Sequence, residues 1–160
     1  MKKLFIIRHA KSSWKEENLD DFDRPLKKRG GKNASYMGEM LNEKHILPDI
    51  ILSSPALRAK TTAGIIAKKV NYSKDIVFNK NMYESNETTL HNLLTELNNN
   101  KKIAFLVAHN PGLNMLADYY VGFNENIPTC GIIEIEFNCK KWQEISPFNA
   151  KLISFEYPKK

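Results

Sequence analysis

Two histidines and two arginines stand at matching places in this 160-residue chain, each close behind a short apolar run. Arg8 and His9 follow residues 4–7, Arg58 lies just past residues 50–53, and His109 follows residues 102–108. Short apolar runs bounded by polar residues read as buried strands. In an open parallel sheet the carboxyl ends of the strands face the ligand crevice, so the topology should deliver these four side chains to one place. Guanidinium groups bind a phosphoryl group bidentately, and preorganised donors stabilise the charge spread over its oxygens in flight. A neutral imidazole can be the nucleophile, and neighbouring guanidinium groups keep it neutral by lowering its pKa. Zinc on His9 and His109 would need a third ligand and would be repelled by the arginines. A phosphoryl group therefore suits this set better than a metal. Glu84 lies on another strand-to-helix loop, where it is a candidate proton donor or, equally, an exposed helix cap.

The elements that must position these residues are legible in the spacing. Residues 26–44 carry Ala34, Met37 and Leu41 at helical intervals, with Gly30 and Gly31 at the entry. After the second strand, Ser54 reads as an N-cap with Pro55 at the first helical position, and Ala59, Ala63, Ile66 and Val70 line one face of the helix. Arg58 then sits in the first turn, where a cation opposes the helix dipole; an anion held jointly by Arg58 and the helix terminus would offset this. Residues 76–79 predict a third strand and residues 87–98 a helix with Leu90, Leu93, Leu94 and Leu97 as its core stripe. His91 falls between the stripe positions and is expected to be exposed, and His45, near a helix end, is given no chemical role. The run 102–108 is the best candidate for the sheet's centre, and a helix built on Leu113, Leu116, Ala117 and Tyr120 follows His109. Residues 131–137 alternate, placing Glu134 and Glu136 on a wetter face, and residues 150–155 close the chain as a last strand.

Between the first strand and the first helix lies a long polar loop, residues 10–25, with Lys11, Ser12, Trp14 and Phe22. Loops of this length in compact domains are commonly functional, and this one is expected to wall the site. Its aspartates 20, 21 and 23 lack histidine or glutamate at ligand spacing, so a solvated or Arg24-paired acidic loop is preferred to a metal cluster.

Apolar residues make up 42% and charged residues 26%, which fits one ordinary globular domain over residues 1–160. The net charge of +6 comes from scattered lysine pairs without interleaved aromatics, which argues against nucleic acid and leaves an anionic substrate. Cys130 and Cys139 have opposite parity along one strand, so neither a disulfide nor a metal site is expected. The apolar segment near the amino terminus is too short for a signal peptide, no run is long enough to span a membrane, and a cytoplasmic location is expected.

The motifs resemble those of the histidine phosphatase superfamily. Arg8-His9 matches its first-strand pair; Ser54, Arg58 and Thr62 match a Ser-x-x-x-Arg-x-x-x-Thr pattern; His109 matches its second histidine. The string from Arg8 to Trp14, the Asp23-Arg-Pro-Leu26 segment and His109-Asn-Pro-Gly112 are similar to the small bacterial phosphohistidine phosphatase subgroup, the SixA type. The resemblance implies an α/β fold, phosphoglycerate mutase-like: a three-layer αβα sandwich whose mostly parallel sheet of about six strands has antiparallel edge additions. It also implies transient phosphorylation of His9, with Arg8, Arg58 and His109 on the phosphoryl oxygens, and no metal or organic cofactor. Backbone amides near Asn110, together with Ser12, are expected to complete the phosphate site. The expected substrate is phosphohistidine on a phosphorelay protein, with Trp14 and Phe22 touching that partner and the enzyme a monomer. A small phosphomonoester substrate and a non-catalytic phosphoprotein-binding module are the alternatives. Ala10 and Lys15 depart from the glycine and asparagine usual in the mutase-like branch, which disfavours a sugar-phosphate mutase.

Overall fold

The structure, a computed structural model, describes residues 1–158. Its strands and helices alternate as the apolar runs require: β1 (Lys2–Arg8), α1 (Lys28–Glu43), β2 (Ile50–Ser53), α2 (Leu57–Lys69), β3 (Val77–Phe78), α3 (Glu87–Thr95), β4 (Ile103–Ala108), α4 (Gly112–Val121), β5 (Ile132–Phe137) and β6 (Ala150–Glu156). The six strands form one sheet in the order β3-β2-β4-β1-β5-β6. β1, β2, β3 and β4 run parallel, while β5 and β6 are antiparallel additions on one side.

Side chains alternate across a strand, so each strand feeds two cores. In β1, Leu4 and Ile6 pack with Leu90 and Leu94 of α3 and Leu113 and Leu116 of α4. Phe5 and Ile7 pack on the other face with Met37 and Leu41 of α1 and Ala63 and Ile66 of α2. The result is the expected αβα sandwich, with β4 and β1 as the central strands.

The register aligns the strand ends that matter. Arg8 pairs with Ala108, so His9 and His109 leave the sheet side by side, and Ser53 pairs with Val107 from the other side of β4. No helix among the described residues is long and apolar enough to cross a membrane.

Several local expectations need correction. α2 begins at Leu57 behind Ala56, so Ser54 is not its N-cap and Pro55 precedes the helix. The Ser54 hydroxyl accepts from the Ala56 amide and also meets His109, so it serves the site rather than the helix end. α3 stops at Thr95, short of Asn98, and its N-cap is Asn86, whose side chain accepts from the Thr89 amide. The third strand shrinks to two exposed residues at the sheet's edge. Glu134 and Glu136 do lie on the wetter face of β5, opposite the fully buried Ile133, Ile135 and Phe137, although Glu134 itself is only 8% exposed, with Lys3 Nζ at 3.7 Å. His91 is half-buried, and its Nδ1 lies 2.7 Å from the Tyr120 hydroxyl. Cys130 and Cys139 are both free, and burial pushes the Cys130 thiol up to about 12.

Candidate active site

The chain turns out of β1 at His9, which is 8% exposed. Its Nδ1 lies 2.7 Å from the carbonyl oxygen of Ala10. A carbonyl only accepts, so Nδ1 carries the ring proton and Nε2 is left as a bare lone pair. That carbonyl is itself held in place, because the Ala10 amide donates to Thr62 Oγ1 at 2.9 Å and the Thr62 hydroxyl donates to the Arg58 carbonyl at 2.7 Å. The Ser-x-x-x-Arg-x-x-x-Thr spacing thus has a physical reason. Arg58 and Thr62 are one helical turn apart, and Thr62 ties that turn to the backbone just past His9.

Burial, followed by Arg58, Arg8 and Arg24, lowers the His9 pKa to about 4, although the Ala10 hydrogen bond works the other way. Burial, then His9 and Arg58, lowers that of His109 to about 3. Both rings are therefore neutral at pH 7 in the free protein, with centroids 5.1 Å apart. Ser54 Oγ stands 2.8 Å from His109 Nε2. Nε2 thus faces a hydroxyl that can donate to it, and Nδ1 is the ring's free nitrogen. That nitrogen is buried without a partner, as is Nε of Arg8. Two buried polar atoms of the residues around His9 are thus left without partners.

Arg8 donates through Nη1 to the Ile127 carbonyl at 2.8 Å. Arg58 is turned onto Asp21, with Nη1 on its carbonyl oxygen at 2.6 Å and Nη2 on its carboxylate at 2.9 Å. The same carboxylate takes Arg24 Nη1 at 2.9 Å and the Tyr83 hydroxyl at 2.6 Å. These bonds, Tyr83 first, hold the Asp21 carboxyl well below the usual carboxylate range. The anion that offsets a cation in the first turn of α2 is thus supplied by the chain itself. Asp21 and Tyr83 are site residues that sequence reasoning missed. Asp21 was recognisable only as a partner of Arg24, and nothing in the spacing marks Tyr83, whose ring meets His109 at 5.5 Å and Phe22 at 5.1 Å.

Two half-open cavities share Arg58. One, about 290 Å³, is lined by His9, Arg8, Lys11, Ser12 and Arg24 among others. The other, about 340 Å³, is lined by Asp21, Tyr83, Glu84, His109 and Asn110 among others. Ser12 lines the same cavity as His9, with its hydroxyl accepting from Arg24 Nη2 at 2.5 Å. The Asn110 side chain is turned away to the Ile127 carbonyl and Asn114, while its backbone N–H has no partner among the described residues. Glu84 is exposed at the rim with a left-handed backbone, φ 42°, and it caps no helix, since Asn86 does that. Trp14, 70% exposed, lies under the Arg24 guanidinium at 3.1 Å from its ring centroid. No group of three or more histidine, cysteine, aspartate or glutamate side chains fit to hold a metal ion occurs among the described residues.

An uncharacterised chloroplastic protein of Arabidopsis thaliana is 26% identical over 152 residues, 89% of this chain and 70% of that one. Phosphoglycerate mutases match over stretches of 73 and 65 residues, and there the chain spans less than a third of their length. Among solved structures, a protein of Agrobacterium tumefaciens assigned as the phosphohistidine phosphatase SixA superposes with a TM-score of 0.85 at 26% identity, over 98% of both chains. The protein histidine phosphatase SixA complexed with tungstate gives 0.83 at 18% identity, over 97% of this chain and 96% of that one, a likeness of fold. With a family model matching residues 4–104, from the strand that carries Arg8 and His9 into the strand that leads to His109, the chain belongs to the histidine phosphatase superfamily, branch 1.

Proposed function

We propose that this protein is a phosphatase that works through a phosphohistidine on His9, and that its substrate is phosphohistidine on a phosphorelay protein. The observation that carries the reading is the His9 tautomer: Nδ1 is committed to the Ala10 carbonyl, which leaves Nε2 unprotonated beside two guanidinium groups and a second imidazole. Arg8, through its free Nε, and Arg58 take the phosphoryl oxygens, with His109 and the Asn110 amide completing the cradle. Nε2 of His9 forms a bond to phosphorus as the bond from phosphorus to the leaving group breaks, and the leaving group takes a proton from water. In the second half a water oxygen bonds to phosphorus, the Nε2–P bond breaks, and phosphate departs while the water's proton passes to solvent. A bound dianion favours protonation of His109, so this ring becomes a cationic clamp only when the site is filled.

Cavities flanked by exposed Trp14 and Phe22 support a protein-borne phosphoryl group. So does the likeness to the Agrobacterium protein. A monomeric, cytoplasmic enzyme needing no metal belongs to the same proposal. Glu84 favours a second reading, a small phosphomonoester, because a carboxyl at the cavity rim can protonate an alkoxide leaving group. Rapid quench with substrate should trap an acid-labile, base-stable phosphoenzyme in the wild type and none in His9→Ala. Failure to form it at any pH would leave the non-catalytic binding module. Rates on a phosphohistidine protein and on free phosphomonoesters, each with Glu84→Gln, separate the two substrate readings. Loss of rate in Glu84→Gln on the esters alone would favour the second.

A further inference from the structure

The cavity that contains His9 holds more positive charge than one phosphoryl group needs. Arg8, Arg24, Arg58, Lys11 and Lys27 all line it, and no carboxylate does among the described residues. The nearest counter-charge is Asp21, a single carboxylate shared by Arg24 and Arg58. A dianionic phosphoryl group and Asp21 together leave two of the five charges uncompensated. Arg8, Lys11 and Lys27 form no ion pair among the described residues, although Glu16, Glu17, Asp20 and Asp23 lie on the same loop; with Arg8 assigned to the phosphoryl group, Lys11 and Lys27 are the two left over. Elsewhere on the molecule Lys3, Lys44 and Lys69 do pair with glutamates.

The two lysines are also held together by backbone. The Lys27 amide donates to the Lys11 carbonyl at 2.8 Å, next to an antiparallel bridge between Ser12 and Leu26. Behind them, α1 approaches so closely that a Cβ on Gly30 would stand 2.3 Å from the Lys11 carbonyl oxygen. Like charges gathered around a small cavity repel one another, and an anion relieves that repulsion.

We propose that Lys11 and Lys27 form a second anion subsite beside His9, which selects substrates carrying a carboxylate or a second phosphoryl group close to the one transferred. The subsite rests on the reading of His9 as the phosphoryl acceptor. On a phosphoprotein the second anion is an acidic side chain flanking the phosphohistidine; on a small molecule it is another phosphate.

Calorimetric titration with phosphate and with pyrophosphate tests the subsite without turnover. The wild type should bind pyrophosphate about tenfold more tightly than phosphate, as expected for one further charge compensated by the two exposed lysines. That preference should fall to threefold or less in Lys11→Gln/Lys27→Gln. It should persist in Lys101→Gln/Lys102→Gln, which removes equal charge at the opposite end of β4. No preference in the wild type, a preference that survives in the first variant, or equal losses in both would each overturn the subsite. Synthetic phosphohistidine peptides with acidic or amide flanks then identify the source. A higher kcat/KM on the acidic peptide, lost in Lys11→Gln/Lys27→Gln, assigns the subsite to a phosphoprotein. Equal rates on both peptides, with the pyrophosphate preference intact, assign it to a small molecule. Hydrolysis of neither peptide would remove the phosphohistidine reading while the binding result stands.

Discussion

At His9 the decisive feature is which nitrogen bears the proton, and that is set by a backbone carbonyl one residue away. If Nε2 attacks, kcat/KM should fall as pH drops through about 4, where His9 takes up a second proton; a profile flat to pH 3 would exclude it. Asp21 is the other residue whose role is specific. Its carboxylate orients Arg58 yet is also a negative charge beside an anion site. Asp21→Asn should therefore lower kcat about tenfold without raising KM, as expected when orientation rather than attraction is lost. A rise in KM at constant kcat would show instead that Asp21 assists binding.

The elements hold the site through a few close approaches. Thr62 on α2 reaches the Ala10 amide, and Thr62→Val leaves that buried N–H without an acceptor. The loss should be about 1–3 kcal/mol in urea unfolding, accompanied by reduced activity, with Thr62→Ser retaining both. Gly30 and Gly31 look alike in sequence but differ in surroundings. A Cβ on Gly30 would strike the Lys11 backbone, whereas one on Gly31 meets nothing within 4 Å. Gly30→Ala should cost about 1–3 kcal/mol, and Gly31→Ala should be neutral or stabilising by about 0.5–1 kcal/mol, both read from the denaturant midpoint. At the other side of the crevice Gly112 plays the part of Gly30, since a Cβ there would lie 2.6 Å from the Ser85 carbonyl oxygen and push α4 off the loop that carries Glu84.

For the whole molecule, two buried neutral histidines tie stability to pH. Their folded pKa values, about 4 and about 3, lie below the ordinary 6.5, so in acid the unfolded chain binds more protons than the folded one. Their contribution is complete above pH 6.5 and declines as pH falls from there toward 4. The urea midpoint should drop over that window and drop less in His9→Asn/His109→Asn. An equal slope in that variant would place the acid sensitivity elsewhere.

What the amino-acid sequence determined by itself was the layering and the convergence. Apolar runs with helical stripes between them dictate an alternating α/β chain, and the right place for Arg8, His9, Arg58 and His109 follows from strand ends alone. Tertiary structure decided which charges meet. That Asp21 closes on Arg58 and Tyr83, from positions 37 and 62 residues away in the chain, depends on a loop folding back across α2, which no local periodicity encodes. Ser54 shows the same limit at shorter range. Its hydroxyl suits a helix cap by type, but a histidine arriving 55 residues later takes it for the site. Local patterns report burial and turn chemistry, which act over a few residues. Electrostatic partners are chosen by distance in space, after the sheet has set which loops lie side by side.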